Sequence, residues 1–214
     1  LKALAGELVS NRFNLRHLLR IIVNSKTYQL SSEPNDTNRE DEANFSRSLV
    51  RRLTAEQLLD ATSRVCDVPL EFTGYPGGYR AAQIPGVAAR RPRDEGPSDA
   101  DRFLKLFGKP PRLQSCDCER SDETTLGQTF QMVSGSLINR MLSASGNRLD
   151  QLLKSNRSTD EIVAELYWTT LTRAPNPDEL RETNEFIAAS KNRRAALEDV
   201  AWGLLNSHEF LLRR

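Results

Sequence analysis

The chain has 214 residues, with 30 Lys and Arg against 29 Asp and Glu for a net charge of +1. That balance gives no global attraction to nucleic acid or to an anionic membrane surface. No apolar run approaches the roughly 18 residues of a bilayer-spanning helix. Three cysteines in a chain long enough to bury a real core do not make a disulfide scaffold.

Leu1, Leu4, Ala5 and Leu8 already read as helix, with no signal peptide before them, as expected of a piece cut from a longer polypeptide. Asn14 is placed to cap a helix whose apolar positions Leu15, Leu18, Leu19 and Ile22 follow the spacing of a buried stripe. Near Tyr28 the pattern gives way to the polar link Ser31-Ser32-Glu33-Pro34-Asn35-Asp36. Thr54-Ala55-Glu56-Gln57 is a capping box that opens a second helix, with Ala55, Leu58, Leu59, Thr62, Val65 and Cys66 on its inner face.

Residues 67–97 change character, with prolines at 69, 76, 85, 92 and 97 and glycines at 74, 77, 78, 86 and 96. A loop of that length in a compact domain is functional or mobile. Within it Tyr75, Tyr79 and Arg80 bring two aromatics and a guanidinium together, which suits a contact surface; the same tyrosines also suit anchors packed on their own domain. Residues 102–107 fit a helical turn and a strand equally. Pro110 and Pro111 then hold the backbone extended ahead of Cys116-Asp117-Cys118-Glu119-Arg120.

Leu126, Phe130, Val133, Leu137 and Met141 predict a long helix buried along one seam, with Gly135 allowing a bend. Ser158-Thr159-Asp160-Glu161 caps a helix carrying Ile162, Val163, Leu166, Tyr167 and Leu171. Asn176-Pro177-Asp178-Glu179 starts another, with Leu180, Thr183 and Ile187 inward. A last helix, with Leu197, Val200, Ala201 and Leu204 inward, is expected to run down to Phe210, so that three helices with short links make an antiparallel bundle element. The expected fold is all-α, a helical bundle with a long irregular Gly/Pro-rich insertion. Its parts are an N-terminal helical section (1–66), the insertion with the Cys-x-Cys segment (67–122) and a C-terminal helical bundle (123–214), together one compact domain.

The cysteines admit several chemistries. Cys116 and Cys118 as thiolate ligands need two further donors, and the chain offers only His17 and His208, which makes a metal site poorly supported. Cysteines two apart on extended backbone point to opposite faces, so either would bridge to Cys66 rather than to each other. Such a bridge closes a loop of roughly 50 residues and stabilises by about 4 kcal/mol in the chain-entropy account. Reduced thiols packed as small apolar fillers are the third reading. A nucleophilic cysteine near Arg120 lacks a base, because only acids lie nearby. No Cys-x-x-Cys-His is present, so no c-type haem attaches here. Arg112, Asp117, Glu119 and Arg120 read as charge-assisted ties to the next helix, and Arg51, Arg52 and Glu56 as a strut at a helix start.

Arg51-Arg52-Leu53-Thr54-Ala55-Glu56 resembles the Arg-Arg-Leu-x-Ala-Glu signature of the planctomycete domain family PSD1, also called DUF1553. Phe103-Leu104-Lys105-Leu106-Phe107-Gly108-Lys109-Pro110-Pro111-Arg112 running into Cys116–Arg120, then Thr124-Thr125-Leu126-Gly127-Gln128, resemble it too. So do Leu171–Leu180 and Leu205–Phe210. The resemblance implies the C-terminal part of a larger exported protein, periplasmic or extracellular. DUF1549-like and cytochrome-c-like domains would lie upstream, and any haem would sit in the latter. It implies no established activity.

The expected function is therefore a non-catalytic assembly or ligand-recognition module without a cofactor of its own. Its contact surface is expected at Asp67–Pro97, with Tyr75, Tyr79 and Arg80 meeting a companion domain or a polysaccharide and with Arg112, Glu119 and Arg120 behind them. The alternative is part of a carbohydrate-processing or cytochrome-linked redox enzyme whose site is shared with upstream domains.

Overall fold

The computed structural model describes residues 1–86, 96–110 and 125–213. Arg112 and the Cys116–Arg120 segment, Cys118 and Glu119 included, lie outside the described residues. The fold is all-α, and no described helix is long and apolar enough to cross a membrane. The chain divides into two compact units, Leu1–Arg51 with Leu212–Arg214, and Arg52–Leu211. Two short strands, β1 (Arg51–Arg52) and β2 (Leu212–Arg213), form a two-stranded sheet.

In the first unit, α1 (Lys2–Ser10) packs against α2 (Leu15–Val23) across a turn in which Arg12 and Phe13 take left-handed backbone. Asn14 caps α2 as its sequence predicts, its side-chain oxygen accepting the His17 N–H at 3.1 Å. The apolar stripe of α2 is not buried, contrary to the expectation from its spacing: Leu15 is 64 % and Leu19 59 % exposed. Periodicity identifies the face of a helix that is apolar, and says nothing of whether a partner covers it. Residues 24–50 hold no regular helix or strand. They are wired instead by side-chain to backbone bonds centred on Asn35, Asn38, Asp41 and Arg47. Asn38 is the single buried residue of 1–51.

The second unit is built on burial. Helix α3 (Ala55–Cys66) has the predicted capping box, Thr54 with Gln57, and buries every predicted inner position from Ala55 to Cys66. It packs against α4 (Asp99–Leu106), α6 (Ser136–Ser143), α7 (Arg148–Lys154), α8 (Thr159–Leu171) and the 3-10 turn Ala81–Gln83. Of residues 102–107, undecided between strand and helix from sequence, 102–106 belong to α4, started by Ser98 and Asp101 in a capping box, and Phe107 follows its end. Leu58, Leu59, Phe103, Leu104, Ile138, Ile162, Val163, Leu166, Leu197 and Leu205 form the fully buried centre. Each such side chain contributes about 2 kcal/mol by leaving water.

The long stripe expected from Leu126 to Met141 is two helices, α5 (Leu126–Ser134) and α6, divided at Gly135. Only the second half of the stripe is inward: Leu137 and Met141 are buried, whereas Phe130 is 67 % exposed. Gly135 has extended backbone, and a Cβ there would overlap the Gln131 carbonyl oxygen. The last three long helices, α8, α9 (Pro177–Ala189) and α10 (Arg193–Leu205), contact one another pairwise. Helix α10 stops short of Phe210; the chain turns at Asn206 and resumes as α11 (His208–Leu211).

Candidate functional site

The described part of the Gly/Pro-rich stretch, residues 67–86 and 96–98, is irregular apart from one 3-10 turn, and it is anchored from below. Leu70, Phe72, Ala81 and Ile84 are buried in the second unit's core. Its backbone donors are taken by two carboxylates. Asp60, one turn along α3 from Glu56, accepts the N–H groups of Ala81 at 2.6 Å and Ala82 at 3.0 Å. Asp101 on α4 accepts those of Thr73 and Ser98, both at 3.1 Å. A buried amide without a partner costs more than a bond gains, so each carboxylate fixes the path of the loop as well as its energy.

Lys109 supplies the complementary charge. It is only 5 % exposed, and its ammonium donates to the carbonyls of Ala81, at 2.7 Å, and Ile84, with the Glu56 carboxylate 3.8 Å away. A desolvated ammonium persists only where acceptors and an opposite charge surround it. The Arg-Arg-Leu-Thr-Ala-Glu and Phe-Gly-Lys-Pro motifs therefore meet in space through Glu56 and Lys109. Arg52 bonds the Gln128 side-chain oxygen and lies 5.9 Å over the Phe107 ring, which stacks on Phe103 at 4.1 Å. The Gln128 amide donates to the Leu106 carbonyl at 2.9 Å while its oxygen accepts the Thr125 N–H at 3.2 Å. The third motif is thereby joined to the first two.

The tail motifs converge in the same way. Arg173 forks onto Glu179, at 2.7 and 2.8 Å, and Glu209, both bonds at 2.8 Å, and lies 5.6 Å from the Tyr167 ring. The Arg173 hydrogen bonds hold the Glu179 carboxyl below the usual range.

Above the anchored backbone, the Tyr75 and Tyr79 rings sit 5.6 Å apart and tilted. Tyr75 packs on the core, and its buried hydroxyl has no hydrogen-bond partner among the described residues. Tyr79 is 39 % exposed and Arg80 is exposed, with the Arg80 N–H bonded to the Gln83 side chain at 2.9 Å. The three residues predicted as a contact surface are thus held by one turn, with Tyr75 acting as anchor and Tyr79 and Arg80 outward. Two open clefts lie along the earlier part of the loop, and of the three residues Tyr75 alone lines one of them. One, of about 500 Å³, runs from Val68–Glu71 to Arg102 and Arg140; the other, of about 320 Å³, follows Glu71–Tyr75. Asp99 on the first is ion-paired to both Arg102 and Arg140.

Cys66 is a free, buried thiol at the end of α3, and burial pushes it up to about 12 although Arg148 is near. No group of three or more His, Cys, Asp or Glu among the described residues could hold a metal. Sequence reasoning missed Asp60, Asp101 and Lys109 as organisers of the loop. Asp60 lies on α3, Asp101 on α4 and Lys109 just beyond the end of α4, and their partners on the loop are backbone groups that no motif spells out.

The helical core and its polar cross-ties define an all-α domain whose motifs serve to join distant segments. The chain belongs to the PSD1 family, described as a protein of unknown function (DUF1553), which matches residues 1–187. The Leu205–Phe210 segment lies beyond that match. No curated protein and no solved structure matches the chain.

Proposed function

We propose that this domain is a non-catalytic docking module that contacts a companion polypeptide through the outer side of residues 71–83. The observation carrying this reading is the fixed backbone of that loop. Asp60, Asp101 and Lys109 satisfy its amides and carbonyls from beneath, so Tyr79 and Arg80 are offered outward with little left to order on binding. Aromatic and arginine side chains dominate interface energies when they are held in place this way. Family resemblance supports a setting in an exported planctomycete protein, with this domain C-terminal to a DUF1549-like partner and to a cytochrome-c-like domain that would hold any haem. The domain itself takes no cofactor in this reading.

The test is calorimetric titration of the DUF1549-like domain, expressed separately, against this chain. Replacing Tyr75, Tyr79 and Arg80 together by alanine is expected to weaken association at least about tenfold. Unchanged affinity of the triple variant for its companion would sink the assignment. Loss of a hydrolytic or redox activity of the intact protein, with association preserved, would favour the enzymatic alternative.

A further inference from the structure

The first unit holds a cleft of about 440 Å³, lined by residues of 22–51 together with Arg213; Arg51 brings the start of the Arg-Arg-Leu-Thr-Ala-Glu motif to its edge. Two of its walls are aromatic and open: Phe45 is 72 % and Tyr28 63 % exposed. Phe45 is held in left-handed backbone, at φ 56°, where a bulky side chain is a true outlier. The conformation is imposed by Asp41, whose carboxylate accepts N–H groups on both sides of Phe45: Asn44 at 2.8 Å, and Ser46 at 3.4 Å together with the Ser46 hydroxyl. Arg47 braces the same loop by donating to the Asn38 and Arg39 carbonyls, each at 3.2 Å. Asp41 and Arg47 are therefore spent on holding the loop.

The remaining charges at the cleft are not spent. Glu42, Arg51 and Arg213 make no ion pair or side-chain hydrogen bond among the described residues. Arg51 and Arg213 are the exposed members of β1 and β2, so two guanidiniums on one small sheet border the same space with one uncommitted carboxylate. Like charges in neighbouring strands are unfavourable unless an anion lies between them. The local surplus is one positive charge.

We infer that this cleft binds a monoanionic saccharide, a uronate or a sulfate ester. Its ring would lie against Tyr28 and Phe45, its hydroxyls would bond Glu42 and Ser48, and its charge would be met by Arg51 and Arg213. Open aromatic faces suit the apolar side of a sugar ring. Glu42 accepts from hydroxyls and repels the multiple charges of a nucleotide phosphate chain. Planar guanidiniums match carboxylate and sulfate oxygens. This inference uses residues of the first unit only and stands or falls apart from the docking surface at 71–83.

The test is calorimetry on the full chain with four probes: methyl galacturonide, its methyl ester, a galactose monosulfate and AMP. At least one charged sugar is expected to saturate, whichever of the two binds better identifying the anionic group. The methyl ester is expected to bind at least about tenfold more weakly than the galacturonide if the uronate is preferred, and Arg51→Gln to cost a similar factor. Phe45→Gly removes the ring while giving the backbone a residue at ease with positive φ, so the loop survives and a loss of about tenfold reads stacking alone. Three results would overturn the inference: neither charged sugar binding up to about 10 mM, AMP binding more tightly than both, or Phe45→Gly and Arg51→Gln leaving affinity unchanged.

Discussion

The two units are held together by different means. In the second, helices bury apolar faces in a continuous core, and charged side chains such as Lys109 and Arg173 tie segments to it. In the first, α1 and α2 bury no residue, and the chain after them is organised by Asn35, Asn38, Asp41 and Arg47 through hydrogen bonds. Hydrogen bonds exchange with water at small net gain, about 1 kcal/mol each, whereas apolar burial accumulates. A region wired only by the former opens at low cost, and its amides should exchange faster than those of α3 or α8.

The largest expected effect puts that contrast to a direct test. Leu58→Ala or Leu104→Ala should lower the urea-unfolding free energy of the second unit by about 3–5 kcal/mol, while Leu19→Ala should change it by less than about 0.5 kcal/mol. Equal losses would erase the distinction. Lys109→Ala removes a buried charge and leaves the Ala81 and Ile84 carbonyls without its ammonium, at a cost of about 3 kcal/mol read from the same unfolding curves.

Gly135→Ala should cost about 1–3 kcal/mol, because the new methyl overlaps the Gln131 carbonyl oxygen and the α5–α6 break must shift. Thermal melts of this variant would show whether the break is required by packing.

Arg173→Ala should cost about 1 kcal/mol, since the partly exposed pairs with Glu179 and Glu209 are screened. Its pH signature is more specific. The Glu179 carboxyl is depressed below its ordinary value of 4.5, so its stabilisation is complete above that value and disappears as pH falls through the lower folded one. Glu179→Gln should flatten this acid limb in pH-dependent unfolding. Smallest in energy is a reactivity test: Cys66, buried and pushed up to about 12, should resist thiol reagents at pH 8 until denaturant is added, as peptide mapping of the labelled chain would show.

Much of the second unit was legible in the sequence. The capping boxes at Thr54 and Ser158 and the cap at Asn176 stand where they were expected, because a cap is a local contract among four residues. The inner face of α3 was read correctly, because a buried neighbour exists for it. The same spacing on α2 and on α5 misled, since amphipathicity records only one side of a contact. Gly135 announced a bend, yet whether it bends or breaks depends on the Gln131 carbonyl three-dimensionally beside it. Tyr75, Tyr79 and Arg80 could be named as neighbours from their spacing. The division of labour between Tyr75 as anchor and Tyr79 as outward ring depends on α3 and α4, far away in sequence.

Gln128 carries a consequence for which substitutions its position tolerates. A capping box accepts Glu as readily as Gln at its third position, because either offers an oxygen to the cap N–H. Here the same side chain must also give an N–H to the Leu106 carbonyl while its oxygen serves both Thr125 and Arg52. A carboxylate would strengthen the bond to Arg52 and abandon Leu106; an apolar residue would abandon all three. The amide is the one side-chain chemistry of that length that both donates and accepts, so relatives that keep Arg52 and this helix junction should keep glutamine rather than glutamate.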